Sequence, residues 1–342
     1  MLKRLFVLVC LGLCAPLTAA AQQSEGIGIR AQGMAGAFTA VADDASATWW
    51  NPSGLAGGAF GNVIVEASEV DVPRSDRDAN GLAAPAAGST GRGFAAAFPA
   101  LGLSYYRLRL SEIQPQTSTA PTGAVRQDQG IASVYEQSLV LSQFGVTIGQ
   151  SLGRYFVLGS TLKIVHGSLA TDVQPATIAS RAHADGLEGE GETHAGVDIG
   201  AMATFGSLRA GLMVRNANEI TFGSGAQQVT LQRTYRIGGA YTTGTRGSIG
   251  TVTIAVDGDL TTTNDSPIGP ERHLAVGGEV WPLNKKLGLR GGVNRNTIGD
   301  PRTSYSGGAS VTVYSRTYLD GQYTGGNDEV RRGWGVDLRV TF

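Results

Sequence analysis

The chain has 342 residues, of which 50 are glycine and two cysteine, with 16% charged residues and a formal net charge of -1. Glycine runs at about twice its usual share and charge well below the usual level of about 25%, yet no Gly-X-Y period occurs, and 42% hydrophobic residues is too many for a disordered chain. Near-zero net charge with no basic stripe or arginine-rich run excludes nucleic acid as a partner.

At the amino terminus, Lys3 and Arg4 precede an apolar run from Leu5 to Leu13 and small residues before Gln22. This is the three-part pattern of a secretory signal peptide, residues 1–21, with cleavage expected after Ala20 or Ala21. Pro16 and the short apolar core leave too little length for a membrane helix. Cys10 and Cys14 leave with the signal, and Leu13 stands where a lipoprotein signal needs a small residue. The exported chain then has no thiol for a disulfide, a redox motif or a metal site.

Beyond the signal no apolar run reaches the 18 or so residues of a membrane helix, and FAAAFPALGL at 94–103 is interrupted by Pro99. Apolar and polar residues instead alternate with period two, the spacing of a strand with two unlike faces. In TVTIAVDGDL, Val252, Ile254, Val256 and Leu260 oppose Thr251, Thr253, Asp257 and Asp259; WGVDLRVTF repeats the pattern from Trp334 to Phe342. The alternation predicts strands near 60–70, 91–98, 101–111, 137–151, 155–167, 191–205, 207–217, 231–243, 249–261, 270–282, 286–296, 304–314, 316–324 and 331–342. Long connections at about 71–90, 112–136, 168–190 and 218–230 alternate with tight reversals at Pro99-Ala100, Gly153-Arg154, Gly206 and Leu283-Asn284-Lys285.

That rhythm predicts an all-β fold: an integral outer-membrane antiparallel β-barrel of about 14 strands, spanning residues 60–342, with short periplasmic turns, long outer loops and both termini on the periplasmic side. A soluble exported sandwich would also alternate, but it needs a continuous dry face. Here the faces opposite the apolar ones carry Asp198, Asp257, Glu279, Arg290, Asp337 and Arg339, which suit a polar lumen. Trp281, Trp334, Tyr155, Phe156 and Tyr105-Tyr106 fall near strand ends, where an interfacial girdle is expected. The final alternating strand ends on Phe342, as in the signal strand read by the barrel-assembly machinery. Membrane lipids, or detergent in their place, are the expected surroundings.

Residues 22–59 differ. Gly33, Gly36, Ala37, Ala40, Ala42, Ala45 and Ala47 form a small-residue surface, Asp43 and Asp44 stand where they would cap the turn DDASATWW, and Asn51-Pro52-Ser53-Gly54 is a turn signal. Phe38, Trp49 and Trp50 are too large for a mobile leader, so this segment is read as a hatch or plug inside the barrel. Phe38, Asp43, Asp44, Trp49, Trp50, Asn51 and Pro52 are its gating candidates, with the two aspartates expected to pair with lumen arginines such as Arg290 or Arg339.

The runs Gly-Met-Ala-Gly-Ala-Phe at 33–38, Ala-Asp-Asp-Ala-Ser at 42–46 and Asn51-Pro52-Ser53-Gly54-Leu55 resemble the amino-terminal region of the FadL-like superfamily of outer-membrane barrels, which includes hydrophobic-compound transporters and PorV-like proteins. The family usually has alanine where Ser53 stands. The resemblance implies a hatch folded back into the lumen and uptake of small hydrophobic molecules, fatty-acid or hydrocarbon-like. Its alternative is a PorV-like structural or secretion-associated barrel that binds secreted partner proteins. The polar outer segments STAPTGAVRQDQG and SRAHADGLEGEGETH offer few side chains for a hydrophobic capture groove.

Catalysis is not expected. HExxH, GxSxG, Walker A and calcium-loop spacings are missing from the sequence, and neither a cofactor nor a metal is expected. His183, Asp185, Glu188, Glu190 and Glu192 read as a solvated acidic loop, ahead of a weak calcium site, and His194 and His273 as hydrogen-bonded lumen residues.

Overall fold

The computed structural model describes residues 26–57, 61–72, 86–115, 133–175, 180–224, 228–245, 247, 250–266 and 269–342. The expected signal peptide and the segment STAPTGAVRQDQG lie outside the described residues. The strands are β1 (Asn62–Val72), β2 (Ala86–Phe98), β3 (Leu101–Pro115), β4 (Ser133–Leu152), β5 (Phe156–Pro175) and β6 (Gly191–Phe205). Next come β7 (Leu208–Arg215), β8 (Ile220–Phe222), β9 (Val229–Leu231), β10 (Thr234–Thr242), β11 (Thr251–Asp259) and β12 (Thr263–Ser266). The last six are β13 (Gly269–Glu271), β14 (His273–Trp281), β15 (Leu287–Asn296), β16 (Thr303–Tyr314), β17 (Thr317–Gly326) and β18 (Gly333–Thr341).

Fourteen of these close into an antiparallel barrel in the order β1-β18-β17-β16-β15-β14-β11-β10-β7-β6-β5-β4-β3-β2. Closure falls on β1, whose Asn62 pairs with Ala97 of β2 on one side and Thr341 of β18 on the other. Each predicted strand has its counterpart in the wall. Asn62 and Thr341 lie at the end that carries the short turns, where Gly153 and Gly206 take φ of 68° and 62°, a region open to glycine.

Alternation turns the wall inside out relative to a soluble protein. On β5, Phe156, Leu158, Leu162 and Ile164 are exposed while Thr161, Lys163 and Val165 are buried. On β18, Trp334, Val336 and Leu338 face out while Asp337 and Arg339 face in. From Phe156 to Ile164 the outward apolar run spans about 20 Å, taking roughly 3.3 Å per residue and a tilt of about 40°. Past Ile164 the outer face of β5 turns polar at His166, Ser168 and Asp172. β4 and β5, at 20 residues each, therefore rise beyond the apolar belt.

The differences from the predicted elements follow from that height. Above the belt the two faces no longer differ in polarity, so the ends of β3, β4 and β5 read as loop. Two hairpins were hidden for a related reason. β8–β9 and β12–β13 have strands of three or four residues, too short for a period to register. The β8–β9 hairpin buries Ile220, Phe222, Val229 and Leu231 against the inward faces of β5 and β6, with the Phe222 ring where a Cβ on Gly167 would stand. A short helix, α1 in the β5–β6 connection (Arg181–Gly186), is held to β3 and β4 above the belt. Ser111 donates to Asp185, and Glu136 accepts from the Ser180 amide and contacts His183 Nδ1 at 2.5 Å.

The belt predicts a depth-dependent cost for charge. Ile254→Arg, at an exposed outward position on β11, should lower unfolding free energy in lipid vesicles by about 2–4 kcal/mol. Gln174→Arg, above the belt, should change it by less than about 1 kcal/mol. Urea titration followed by heat-modifiable gel mobility reads both.

Candidate functional site

The chain from Gly26 to Gly57 lies inside the barrel. It comprises two short helices, α2 (Ile29–Gly33) and α3 (Ala47–Trp50), and a 3-10 turn at Pro52–Gly57. Ile27, Ile29, Phe38, Val41 and Asn51 have no exposed surface, and Trp49 and Trp50 are 2% exposed. α2 packs on β15 to β18, α3 on β3 and β4, and the 3-10 turn on β4 to β6. The segment thus reaches from one wall to the opposite one. Glycines on the inward faces of the strands make room for it: a side chain at Gly277 would overlap the Met34 carbonyl, and one at Gly211 the Thr39 carbonyl.

Arg30 sits at the centre of its polar contacts. Its Nε and Nη2 each donate to Glu279 of β14 at 2.7 Å, and Nη1 reaches Asp43 at 2.5 Å and Asp44 at 3.1 Å. Burial alone would pull the guanidinium's pKa down, but Asp43, Glu279 and Asp44 outweigh it and raise it well above its ordinary value, so Arg30 is always charged. Three carboxylates around one buried guanidinium make a bridge between the segment and the wall.

Around this bridge the wall satisfies the segment's backbone. Asp257 accepts from the Phe38 and Thr39 amides at 3.0 and 2.7 Å, and Glu66 from Gly28 at 2.8 Å. Asn62 accepts from Ala45, Asn294 donates to the Ala35 carbonyl, and Gln322 donates to Gln32. A backbone with almost no regular structure is otherwise costly to bury.

The predicted residues fall as follows. Asp198, Asp257, Glu279, Arg290, Asp337 and Arg339 are all buried on inward faces. Asp257 and Glu279 contact the segment directly. Arg290 and Arg339 pair with Asp320, at 3.3 and 2.9 Å, and Asp198 with Lys163. Asp43 and Asp44 do not pair with Arg290 or Arg339 as expected: Arg30, already inside the segment, takes both, and Arg209 of β7 stands 3.9 Å from Asp43. Helix α3 starts on Ser46, not Asp43, while Asp44 accepts from the Ser46 amide and hydroxyl. Asn51 ties the turn together, donating to the Thr39 carbonyl at 2.7 Å and accepting from Ser53 Oγ at 2.6 Å. Pro52 is buried beside Gly159 of β5, and Phe342 is exposed at the end of β18, its amide bonded to the Gly61 carbonyl.

Two aromatic assignments change. Tyr106 is 1% exposed and meets Trp49 edge-on at 5.4 Å, so it lines the lumen. Trp281 also faces in, under the guanidiniums of Arg290 and Arg339. Arg30 itself escaped the sequence reading, though a lone arginine in the small, apolar run from Ile27 to Ala42 was a signal: a buried cation needs a partner.

The lumen is divided in character. On the β14–β18 side it is ionic. On the β3–β5 side the register stacks mostly apolar rows: Leu110, Leu139 and Leu169, then Leu108 and Leu141 with Phe222, then Tyr106 and Val165 with Gln143 between them, and finally Trp49 of the segment. At the short-turn end, cavities of about 260 and 440 Å³ touch the segment and share Gly57, Arg209 and Thr242. The smaller is lined by charged groups including Arg30, Asp43 and Glu279.

A family model described as F plasmid transfer operon, TraF, protein matches residues 53–259. The chain belongs to that family. No curated protein matches the sequence. Among solved structures, this TraF family member is similar to the CymD monoaromatic hydrocarbon channel at 12% identity and a TM-score of 0.61, covering 93% of this chain and 98% of that one. It is also similar to the Pseudomonas putida toluene transporter TodX, at 11% identity, TM-score 0.59 and coverages of 94% and 98%. The Ralstonia pickettii toluene transporter TbuX follows at 13% identity and 0.56, with coverages of 93% and 99%. The fold is that of the FadL-like outer-membrane barrels, and these similar structures are channels and transporters, not enzymes.

Removing Arg30 leaves Asp43, Asp44 and Glu279 buried without their shared partner. Arg30→Ala should therefore loosen the seated segment by about 3–5 kcal/mol, seen as faster amide hydrogen exchange across residues 27–50. Arg30→Lys, which keeps the charge but not the paired bonds to Glu279, should fall between the two.

Proposed function

We propose that this protein is an outer-membrane channel for uptake of small hydrophobic molecules, in which residues 26–57 act as a hatch. The observation that carries this reading is the apolar series running from Leu110, Leu139 and Leu169 at the outer end, through Leu108, Leu141 and Phe222, to Tyr106 and Trp49. An apolar solute needs a predominantly apolar lining with few polar groups, and this series, interrupted by Gln143 between Tyr106 and Val165, leads from the outer mouth to the hatch. The capture surface comes from wall strands and the inserted β8–β9 hairpin, which is why polar outer loops do not argue against it. The channels of similar fold carry hydrocarbons and toluene by their descriptions, which supports the substrate class. Short turns and both barrel termini at one end support a periplasmic placement of that end.

The path is packed shut, so passage requires the hatch to move. Its ionic contacts are concentrated on Arg30 and its packing on Trp49 and Trp50, leaving a small number of contacts to exchange.

A second reading rests on the other end of the molecule. The charged cavity around Arg30, Asp43 and Arg209 and the plasmid-transfer description of the family favour a barrel that docks a secreted partner protein and carries no solute.

Proteoliposomes separate the two. Full-length protein should accelerate entry of toluene and of a long-chain fatty acid but not of a sugar. Deleting residues 218–231, which removes the β8–β9 hairpin and with it Phe222 of the apolar series, should lower hydrocarbon entry severalfold. Leu141→Asp, which puts a charge in the apolar series, should lower it by about tenfold or more. Equal rates for toluene with and without protein would transfer the weight to the docking role.

A further inference from the structure

The outward face of the barrel carries an ionic feature that neither the hatch nor the apolar path uses. Arg92 of β2 and Arg107 of β3 are direct cross-strand partners. Both are exposed, and both share the outward face with Phe94 and Tyr105, one step nearer the membrane centre. Among the described residues neither arginine has a hydrogen-bond or ion-pair partner. Like charges directly opposite each other on a sheet repel and cost stability, so an uncompensated pair of guanidiniums at this point calls for an anion.

Register places that anion's level. Arg107 pairs with Ser142 of β4, Ser142 with His166 of β5, and His166 with Thr193 of β6, forming one row across five strands. The row below is Phe94, Tyr105, Phe144 and Ile164, the last apolar row of the belt, in which Phe94 and Tyr105 stack at 6.4 Å. The arginines therefore stand where acyl chains give way to headgroups. The acids on this face lie farther from the belt and are engaged: Glu136 with His183, Asp185 with Ser111 and Asp172 with Gln174. Glu69 of β1 is diagonal to Arg92 and has its own interaction. Arg109, one row up, is bound to the Asp185 carbonyl.

We propose that Arg92 and Arg107 together hold a phosphate of an outer-leaflet glycolipid, whose acyl chains lie along Phe94 and Tyr105. A phosphate oxygen pair matches the fork of each guanidinium, and His166 and Ser142 extend the row with further polar contacts. The inference rests on the membrane orientation proposed above, with the tall β2–β6 wall on the outer side.

The test uses full-length barrel in detergent, titrated with bis-phosphorylated lipid A and followed by native mass spectrometry. Wild type should retain one lipid A, and Arg92→Gln with Arg107→Gln should weaken retention by about tenfold or more while heat-modifiable mobility stays unchanged. Enzymatically dephosphorylated lipid A should bind wild type no better than the intact lipid binds the double variant. Equal retention by wild type and variant would overturn the proposal, as would inorganic phosphate displacing the lipid at equimolar concentration. Orientation is checked separately by Arg92→Cys in a chain whose Cys10 and Cys14 are replaced by serine. Labelling from outside the cell without lipid retention sinks this inference alone, whereas labelling only from the periplasm sinks the orientation and the inference together.

Discussion

Arg30 is the residue on which the interior depends. A barrel whose outer face must be apolar pushes its polar side chains inward, and there each charge has to find a partner within a narrow space. Asp43 and Asp44 arrive with the amino-terminal segment and Glu279 with the wall; a single guanidinium bonds to all three, with Arg209 3.9 Å from Asp43 and Arg290 3.7 Å from Glu279 supplying further positive charge. The same geometry ties 32 residues of almost irregular chain to a rigid sheet. Without it, burial of the segment would leave a concentrated negative charge at the point where segment and wall meet.

The division of the lumen follows from where that ionic bridge lies. Glu279, Arg290, Asp320, Asp337 and Arg339 cluster on β14 to β18, while the opposite wall carries the apolar rows beside the Lys163–Asp198 pair. The segment straddles both, presenting Arg30 to one side and Trp49 and Leu55 to the other. An apolar molecule descending along Leu139, Leu141 and Val165 would meet Trp49, whose ring lies against Tyr106 and under the guanidinium of Arg215 at 4.5 Å. Trp49 and the ionic bridge at Arg30 belong to one short segment, so under the proposed hatch role the strength of the bridge would set how readily the path opens.

Much of the wall was legible because period-two alternation is enforced wherever one face meets lipid. TVTIAVDGDL and WGVDLRVTF show it residue by residue, and the inward position of Asp257 and Asp337 follows directly. The signal weakens where the constraint does. Above the belt, β4 and β5 continue through Tyr135, Glu136 and Asp172 with water or protein on both sides, and the alternation disappears. The partners of Asp43 and Asp44 were not legible, because a pairing between segments is a three-dimensional fact; spacing alone did not favour Arg30 over Arg290. The inward turn of Tyr106 was hidden because Tyr105 stands beside it, so one step of register decides which of the two faces in, whereas Trp281 keeps the parity of Glu279 and its inward turn follows from the alternation of HLAVGGEVW. The glycine excess was visible from the start, and its use at Gly211 and Gly277, where segment backbone lies against wall backbone, became apparent only with the packing.

The central claim is that the amino-terminal segment must leave its seat for a solute to pass. Gln32 of the segment and Gln322 of β17 hydrogen-bond at 2.7 Å through their side-chain ends, so cysteines at both positions, with Cys10 and Cys14 replaced by serine, can be joined by a short bifunctional methanethiosulfonate that spans the two side chains and is removed by reduction. Uptake of toluene by proteoliposomes containing this variant should fall to the protein-free rate when crosslinked and recover on reduction. Uptake that is the same in the crosslinked and reduced forms would contradict the account.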